Sequence, residues 1–403
     1  MKNETRRNVI ISLITALVLI FVFFLRDYMT LQDNDKVLKV GFIYVGDGAT
    51  AYTKNFMDAQ DELEVFFGDR IECIAKYNIP DDKPVDQYVD ELIKAGCDVI
   101  FSTSYGYGDD VKRIAAENPE VQFCQATASN ANDDPVLSNY HTYMGHIYEG
   151  RYLAGVVAGM KLRELIENGT ITADEAVVGY VAAFPYSEVI SGYTAFFMGV
   201  RSQCESATMR VKYTNTWNDF GLEKEYAEEL IEEGCVIISQ HSDTKGPAIA
   251  CEQAAEYKTV YIVSYNASMI DVAPTTALTG CRINWFPYEK QVVQALLKGK
   301  NIEKSFNGKE TVNGNDVGAG FSEGWIEMLD LNSVTVARGT VAKVETLKNK
   351  FIKERVPVFY GDYVGVDPFN PDDTIDLRTE YIENTKYSAP MFHYVLSDVI
   401  TVD

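Results

Sequence analysis

The chain has 403 residues, which is more than one ordinary domain holds and about right for two or three. Apolar residues make up 46% of it, so the chain can bury a large core and disorder is not expected. The formal net charge of −23 argues against nucleic acid or an anionic membrane surface as a partner, because both attract a basic face.

An unbroken apolar run occupies residues 9–25 and follows three basic residues. As a helix it spans about 26 Å, just enough for a hydrocarbon core, and the basic residues place the N-terminus in the cytoplasm. No small-residue cleavage site follows the run, which favours an uncleaved signal anchor over a cleaved signal peptide. We therefore predict a cytoplasmic stub and signal-anchor helix over residues 1–30, with the rest of the chain exported and anchored at the cell membrane.

From residue 39 onward, apolar strands alternate with amphipathic helices, a pattern that predicts parallel sheets covered by helices. The first series has strands at 39–45, 71–77, 98–102 and 121–124, with helices at 53–67 and 85–93. After a long helix at 147–167, the second series has strands at 176–182, 209–214, 236–239 and 259–264, with a helix at 187–201.

Two stretches nearly repeat each other: residues 88–97 read YVDELIKAGC and residues 226–235 read YAEELIEEGC. Each is an amphipathic helix that ends in Gly-Cys and is followed by an apolar run. The repeat indicates two similarly built lobes, and two facing lobes form a cleft that can bind a small molecule.

The predicted fold is therefore α/β, with two Rossmann-like lobes, a hinge and a central cleft. We assign residues 37–145 and about 267–318 to the first lobe, and residues 146–266 and about 319–403 to the second. The stretch from about residue 356 is rich in Asp, Pro, Tyr and Asn, which indicates a surface hairpin or loop.

In open parallel sheets, ligands bind outside the carboxyl ends of the strands, so the loops after the strands are the candidate site. These loops combine aromatic residues with short polar ones. The aromatic candidates are Tyr52, Tyr105 and Trp217, and the polar candidates are Asp47, Ser104, Asp243 and Asn266. Such a mixture suits a flat polar ligand that rings can stack on, although loop aromatics also pack the rims of lobes.

Six segments together resemble the basic-membrane-protein family of substrate-binding proteins of ABC transporters, which includes purine nucleoside receptors. They are GFIYVGDGATAY (41–52), HIYEGRYLAGVVAG (146–159), GYVAAFPYSEVISGYTAF (179–196), NTWNDFGLEKEYA (215–227), SQHSDT (239–244) and INWFPY (283–288). The resemblance covers most of the exported chain. It implies the periplasmic binding protein type I fold, a closing cleft, and a nucleoside or nucleobase as the ligand.

The resemblance also implies roles for individual residues. Tyr52 and Trp217 would sandwich the base, and Asp47 would contact its edge. Asn266 stands where nucleoside receptors carry an Asp that holds the ribose hydroxyls, so the need for a sugar stays open. Where the family places a lysine near the ribose, this chain has Arg282, Asn284 or Trp285. Asp219 and His241, which lie in the matching segments, complete the candidate set. No cysteine lies near the apolar run, whereas the resemblance implies a lipid-bearing cysteine there.

Other functions fit the sequence less well. His241, Ser242 and Asp243 are neighbours in one loop and cannot form a catalytic triad, so we predict no enzyme. No pair of histidines has the helical spacing of a metal site, and no phosphate-binding loop is present, so we predict no metal and no cofactor.

We predict an extracytoplasmic solute-binding protein of an ABC importer that binds a purine nucleoside or nucleobase. Its partners would be this small-molecule ligand and an ABC permease, with no nucleic acid, and we expect a monomer. The alternative is a ligand-sensing ectodomain that acts through a membrane partner.

Overall fold

The structure, a computed structural model, describes residues 37–403 apart from residues 307 and 309, so the predicted signal-anchor helix lies outside the described residues. Its strands are β1 (Leu38–Ile43), β2 (Ile71–Lys76), β3 (Val99–Ser102), β4 (Gln122–Ala126), β5 (Tyr140–Gly145), β6 (Val177–Ala182), β7 (Thr208–Tyr213), β8 (Ile237–His241), β9 (Tyr261–Tyr265), β10 (Ala277–Ile283), β11 (Thr311–Asn313), β12 (Asp316–Ala319), β13 (Ile326–Met328), β14 (Val364–Asp367), β15 (Asn370–Asp376), β16 (Val395–Leu396) and β17 (Ile400–Val402). Its helices are α1 (Ala51–Phe67), α2 (Asp86–Lys94), α3 (Gly108–Glu117), α4 (Ile147–Glu167), α5 (Ser187–Arg201), α6 (Phe220–Glu232), α7 (Gly246–Ala254), α8 (Phe286–Leu297) and α9 (Thr340–Lys353).

Two seven-stranded sheets share the topology of a five-stranded parallel core, β5-β4-β3-β1-β2 in the first and β10-β9-β8-β6-β7 in the second. The first has the order β11-β12-β5-β4-β3-β1-β2, and the second has the order β13-β10-β9-β8-β6-β7-β17. Neighbouring strands pair in parallel, except at β11 with β12 and at β13 with β10. Strands such as β1 are buried almost throughout, as expected of parallel strands covered on both faces. The prediction of two α/β lobes is confirmed, and the lobe built on each sheet is called the first or second lobe.

The repeated segments end in the same way in both lobes. Gly96 has φ +83° and Gly234 has φ +93°, in the left-handed region that favours glycine. The amide of the cysteine that follows each glycine donates to a carbonyl five residues earlier, at 3.1 Å in the first lobe and 3.0 Å in the second. This helix end directs the chain into β3 and β8, which occupy matching places in the two sheets.

Three crossings join the lobes within the described residues. After β5 the chain enters α4, which packs against α5 and β10. After β10 it enters α8, which packs against α1 and β1 of the first lobe. After β12 it returns to the second sheet through β13.

The second of these crossings lies later than the sequence analysis placed it. Residues 267–318 were assigned to the first lobe, but β10 pairs in parallel with β9 and antiparallel with β13 of the second sheet. Residues up to Ile283 therefore belong to the second lobe. The cause is an additional buried strand that the sequence analysis did not predict.

The C-terminal stretch is more ordered than the surface hairpin or loop predicted from sequence. Strands β15, β14 and β16 form a small antiparallel sheet, and β17 adds an edge strand to the second sheet. Phe392 and Leu396 are fully buried, and the Phe392 ring stacks on Phe359 with centroids 4.2 Å apart.

Helices α4 and α5 pack with their backbones in contact. A Cβ atom on Gly155 would collide with the carbonyl oxygen of Phe196, and one on Gly199 would collide with the carbonyl oxygen of Tyr152. Both glycines therefore permit a close approach between the crossover helix and the second lobe.

We expect Gly155→Ala to destabilise the protein by about 1–3 kcal/mol, because the helices must separate to admit the methyl group. The denaturant midpoint measures this loss. Gly221→Ala is the matched control, since a Cβ atom at that helical glycine meets only ordinary contact with Asp219 Oδ1 at 3.5 Å. Equal midpoints for Gly155→Ala and the unmodified protein would contradict the close packing.

Candidate ligand-binding site

A cavity of about 140 Å³ lies between the two lobes. It is lined by residues of both lobes: Val45, Gly46, Thr50, Tyr52, Asp81, Ser104, Tyr105, Thr127, Glu188, Trp217, Asn218, His241, Asp243, Tyr265 and Asn266. Most of them stand at or just after the carboxyl ends of the parallel strands, where ligands of such sheets bind.

The structure brings seven of the eleven candidate residues to this cavity. They are Tyr52, Ser104, Tyr105, Trp217, His241, Asp243 and Asn266. The other four candidates have structural contacts away from the lining.

Two of these four shape the loops beside the cavity. The Asp47 carboxylate accepts hydrogen bonds from the Ala49 amide at 2.9 Å and from Asn78 Nδ2 at 3.2 Å. These bonds hold the pKa of Asp47 below its usual value and fix the loop that leads to Tyr52. Asp219 caps helix α6, where its carboxylate accepts from the Leu222 amide at 3.0 Å.

The remaining two belong to the crossing after β10. Asn284 Nδ2 donates to Glu327 Oε1 at 3.0 Å, and its Oδ1 accepts from the Phe286 amide at 3.2 Å. Trp285 is 1% exposed and stacks on Phe56 of α1, with ring centroids 4.2 Å apart. Asn284 therefore ties the crossing to β13 of the second lobe, and Trp285 holds it against the first lobe.

The sequence analysis did not single out Asp81, Thr127 or Glu188. Asp81 follows β2, and its carboxylate accepts from the Ser104 hydroxyl at 2.5 Å in the cavity wall. Thr127 follows β4 with a φ of +65°, and Glu188 lies in the first turn of α5. Only their position in the sequence could have indicated these three residues, because each comes shortly after the end of a parallel strand.

The aromatic side chains are held from outside the cavity. The Tyr52 hydroxyl donates to the Thr103 carbonyl, and its ring meets Phe56 edge-on at 5.2 Å. The Trp217 ring lies 5.4 Å from Phe184. Such supports fix the ring planes before a ligand arrives, which reduces the entropy lost on binding.

Tyr105 of the first lobe and Tyr186 of the second face each other at the cavity's edge, with ring centroids 6.3 Å apart. Both are exposed, at 63% and 48%. The two rings therefore approach each other across the cleft, one from each lobe.

His241 is buried, and neither of its ring nitrogens has a hydrogen-bond partner. Burial lowers its pKa, while Glu188, whose Oε1 lies 3.6 Å from Nε2, opposes that shift. Gly192 makes room for the ring, since a Cβ atom there would come 2.8 Å from His241 Nδ1. The imidazole is thus a buried polar group that a ligand can satisfy.

Arg151 supports the same region from the crossover helix α4. Its side chain is fully buried, and Nη2 donates to the Gln240 carbonyl at 2.5 Å, next to His241. The guanidinium carbon lies 4.5 Å from the Tyr265 ring centroid and 5.3 Å from that of Tyr180. No carboxylate of the described chain forms an ion pair with it, so aromatic faces provide much of its stabilisation.

The charge of the cavity lining is one-sided. Asp81, Glu188 and Asp243 line it, and no lysine or arginine does. Burial raises the pKa of Asp243 to about 8, the charge of Glu223 adds to this, and the neighbouring Asn266 amide opposes it. Asp243 is therefore mostly protonated at neutral pH and can donate a hydrogen bond.

Asn266 connects the lobes directly. Its Oδ1 accepts from Asn55 Nδ2 of the first lobe at 3.2 Å. Its Nδ2 makes no hydrogen bond of normal geometry, but the amide lies close enough to Asp243 to oppose the rise in the pKa of that carboxyl. The residue has a φ of +63°, a strained conformation that asparagine tolerates better than most residues.

A cavity at the facing strand ends of two lobes, joined by three crossings, defines a two-lobed solute-binding protein. Residues 39–360 match the Bmp family, described as ABC transporter substrate-binding protein PnrA-like, and the chain belongs to that family. The family comprises extracytoplasmic binding proteins that take small-molecule ligands and work with ABC permeases.

Individual relatives agree with this assignment. A purine-binding protein of Brucella abortus is 31% identical over 266 residues, covering 66% of this chain and 70% of that protein. A putative ABC transporter glucose-binding protein of Haloferax volcanii is 33% identical over 227 residues, covering 56% of this chain and 53% of that protein.

Solved structures of solute-binding proteins share the fold. An ABC transporter solute-binding protein from Conexibacter woesei has a TM-score of 0.58 at 18% identity, covering 80% of this chain and 100% of that chain. One from Aeropyrum pernix has a TM-score of 0.60 at 16% identity, covering 78% of this chain and 91% of that chain.

The raised pKa of Asp243 predicts a dependence of stability on pH. In the folded protein this carboxyl keeps its proton up to about pH 8, whereas the unfolded chain releases it near its usual value of 3.8. The unliganded protein should therefore lose stability as the pH rises through that window. Asp243→Asn should remove the loss and exceed the unmodified protein by about 1 kcal/mol or more at the upper end.

Chemical denaturation between about pH 5 and about pH 9 measures this difference. Asp47→Asn is the control, because the pKa of this exposed carboxylate is lowered and its stabilising effect is lost only towards acid pH. A stability difference for Asp243→Asn that stays constant over the range would contradict the assignment.

Proposed function

We propose that the protein binds a purine nucleoside or nucleobase in the cleft and delivers it to an ABC permease. The observation that carries this proposal is the cavity lining, where aromatic rings stand beside polar groups that lack hydrogen-bond partners. Rings can stack on the faces of a base, and edge groups can satisfy its donors and acceptors. The purine-binding relative from Brucella abortus supports the same class of ligand.

The assigned roles follow from the contacts on each side. Tyr52 and Trp217 would hold the ring system, as the resemblance implies. Asp243, mostly protonated, would donate to a ring nitrogen, and Asn266 Nδ2 would donate to a carbonyl or hydroxyl oxygen. His241 would accept or donate according to its tautomer.

The residues that line the cavity also support the exclusion of phosphorylated forms of these ligands. A phosphate group would enter a cavity with three carboxyl side chains and no lysine or arginine. Burial of the phosphate would cost more free energy than its contacts with the lining would provide, because no opposite charge offsets the loss of hydration. Nucleotides should therefore bind far more weakly than nucleosides.

Ligand binding would be coupled to closure of the lobes. A ligand that contacts residues of both lobes favours the closed state by its difference in affinity for the two states. The Asn55–Asn266 bond and the Arg282–Asp58 ion pair, with Nη1 3.7 Å from Oδ2, join the same two lobes and would stabilise that state.

The cellular setting remains part of the proposal. We propose that residues 9–25, outside the described part, anchor the protein at the membrane and that the exported domain acts as a monomer. Among the described helices, none is long and apolar enough to cross a membrane.

A thermal-shift screen of the purified protein tests the ligand class. Purine nucleosides or free bases should raise the melting temperature increasingly as their concentration exceeds the dissociation constant, whereas the matching nucleoside monophosphates should not. Glucose belongs in the panel because of the Haloferax relative. A response to bases alone would mean that Asn266 does not serve a ribose site, and a response only to glucose would overturn the proposal.

Trp217→Ala should weaken the binding of the ligand found in that screen by about 1–3 kcal/mol, because one stacking face is lost. Isothermal titration measures the affinity, and the unliganded melting temperature checks the fold. Tyr257→Ala is the matched control, since this aromatic side chain is 68% exposed and does not line the cavity. Unchanged affinity in a folded Trp217→Ala variant would rule out the stacking role.

A further inference from the structure

Three side chains of the small C-terminal sheet converge at one point away from the cleft. Asp367 ends β14, Asp373 lies in β15, and His393 comes two residues before β16. One ligand atom of each lies within 4.8 Å of the others, and His393 Nε2 is 3.8 Å from Oδ2 of both aspartates. All three positions lie beyond residue 360, where the match to the family ends.

Groups outside the cluster orient each of these side chains. His393 Nδ1 lies 2.9 Å from the Met391 carbonyl, which only accepts, so Nδ1 carries the hydrogen. Asp367 Oδ1 accepts from the Phe369 amide at 2.8 Å, and Asp373 Oδ1 accepts from the Tyr394 hydroxyl at 3.1 Å. One atom of each side chain therefore remains: Nε2 and the two Oδ2 atoms, which are the atoms that converge.

This arrangement is unfavourable when His393 is neutral and no cation is bound, whereas a protonated ring would form ion pairs with both aspartates. In neutral His393 the Nε2 lone pair faces two carboxylate oxygens, so three electron-rich atoms point at one another. Within the described chain, neither aspartate pairs with a lysine or arginine. The distance of 3.8 Å is also too long for hydrogen bonds from a protonated ring.

Strand pairing makes the cluster rigid. Val366 pairs with both Thr374 of β15 and Val395 of β16, so the residues next to both aspartates, and the residue two positions after His393, are held in one antiparallel ladder. The side chains are partly exposed, from 17% for Asp367 to 42% for Asp373, and solvent ions can reach them. A cluster that is preformed on strands loses little entropy when it binds an ion.

We propose that Asp367, Asp373 and His393 form a binding site for a divalent transition metal of the Zn²⁺ or Mn²⁺ type. One imidazole nitrogen with two carboxylate oxygens suits such ions, whereas Mg²⁺ and Ca²⁺ prefer oxygen ligands alone. Tetrahedral zinc ligands lie roughly 3.4 Å apart. His393 Nε2, at 3.8 Å from each Oδ2, is already near that spacing, and the two carboxylate oxygens, which lie within 4.8 Å of each other, would move closer together on binding. The hydrogen bond from His393 Nδ1 to a carbonyl is the usual way in which proteins orient a metal-binding histidine.

The sequence analysis predicted no metal because it looked for histidines at helical spacing. Here two ligands lie on β14 and β15 and the third comes two residues before β16, so they are separated by up to 26 positions in the chain. Only the pairing of β15, β14 and β16 brings them together.

A bound metal would fasten the C-terminal segment, which contacts both lobes. Glu383 accepts from the Met391 amide at 2.7 Å and from the Ser191 hydroxyl of the second lobe at 2.9 Å. Ser388 donates through its hydroxyl to Asp316 Oδ1 of the first lobe at 2.6 Å. The metal would tie this segment to the β14–β15 hairpin and stabilise it without taking part in the binding cleft.

The test uses the full-length protein, purified in detergent and stripped of metal with a chelator. Titration with ZnCl₂ or MnCl₂ should show binding at one site per chain and a rise in melting temperature, and MgCl₂ should produce neither. With CoCl₂, visible absorption bands should appear that change when the histidine ligand is removed. No binding of Zn²⁺ or Mn²⁺, or an equal response to Mg²⁺, would overturn the proposal.

Three variants assign the site. His393→Gln and Asp373→Asn should each abolish the melting shift and the cobalt spectrum, because each removes one ligand from a site that has three. Asp376→Asn is the matched control on the same strand, since this carboxylate is already paired with Arg378 at 2.6 Å, and it should leave metal binding unchanged. Metal binding that survives in folded His393→Gln would place the ion elsewhere and overturn the proposal.

Discussion

The architecture depends on close packing where the chain crosses between the lobes. A Cβ atom on Gly145 would lie 2.9 Å from side-chain atoms of both Ile283 and Ile326, so the end of β5 rests against the ends of β10 and β13. One on Gly320 would collide with the carboxylate of Glu149, which accepts from the Phe321 amide at 2.8 Å. The three crossings therefore form one packed unit, and the two lobes can change their relative position only by bending there.

The same packing links the crossings to the cleft. Helix α4 starts at the first crossing, lies directly on α5, and carries Arg151 to the Gln240 carbonyl and the Tyr265 ring. Burial of this cation lowers its pKa, so the position is costly unless the surrounding rings and carbonyl stabilise it. A shift of α4 relative to the second sheet would change the surroundings of Tyr265 and His241 together. Bending at the crossings and the shape of the cavity floor are thus physically coupled.

Most of the fold could be predicted from local sequence patterns. The alternation of apolar strands and helices, with the Gly-Cys repeat, predicts two lobes because each unit is specified by nearby residues. The position of the second crossing could not be predicted in this way. Which sheet receives β10 depends on the open edge beside β9 and on pairing with β13, some 45 residues later in the chain.

The candidate site shows the same limit at the level of side chains. Loop position correctly indicated that residues after the parallel strands gather at one place, as Ser104 and Trp217 do. Loop position could not indicate the direction in which each side chain points. Asp219 caps the helix that follows it, and Trp285 turns into the core against Phe56, because capping and burial satisfy these side chains locally. Their role depends on which neighbours the fold supplies, and a single sequence does not contain that information.

The electrostatics of the cavity favour a neutral ligand that offers both donors and acceptors. The raised pKa of Asp243 means that the site disfavours a negative charge on this carboxyl, and the charge of Glu223 adds to this effect. A protonated carboxyl and an unpaired amide nitrogen supply donors, while Glu188 supplies an acceptor beside the unpaired imidazole of His241. The edge of a base carries both donors and acceptors within a few ångströms. An anion would instead place its negative charge beside the carboxyl groups of Glu188 and Asp243. Under the proposed function, complementarity to such an edge would recover the desolvation cost of these buried groups, and selection would rest on hydrogen-bond pattern more than on charge.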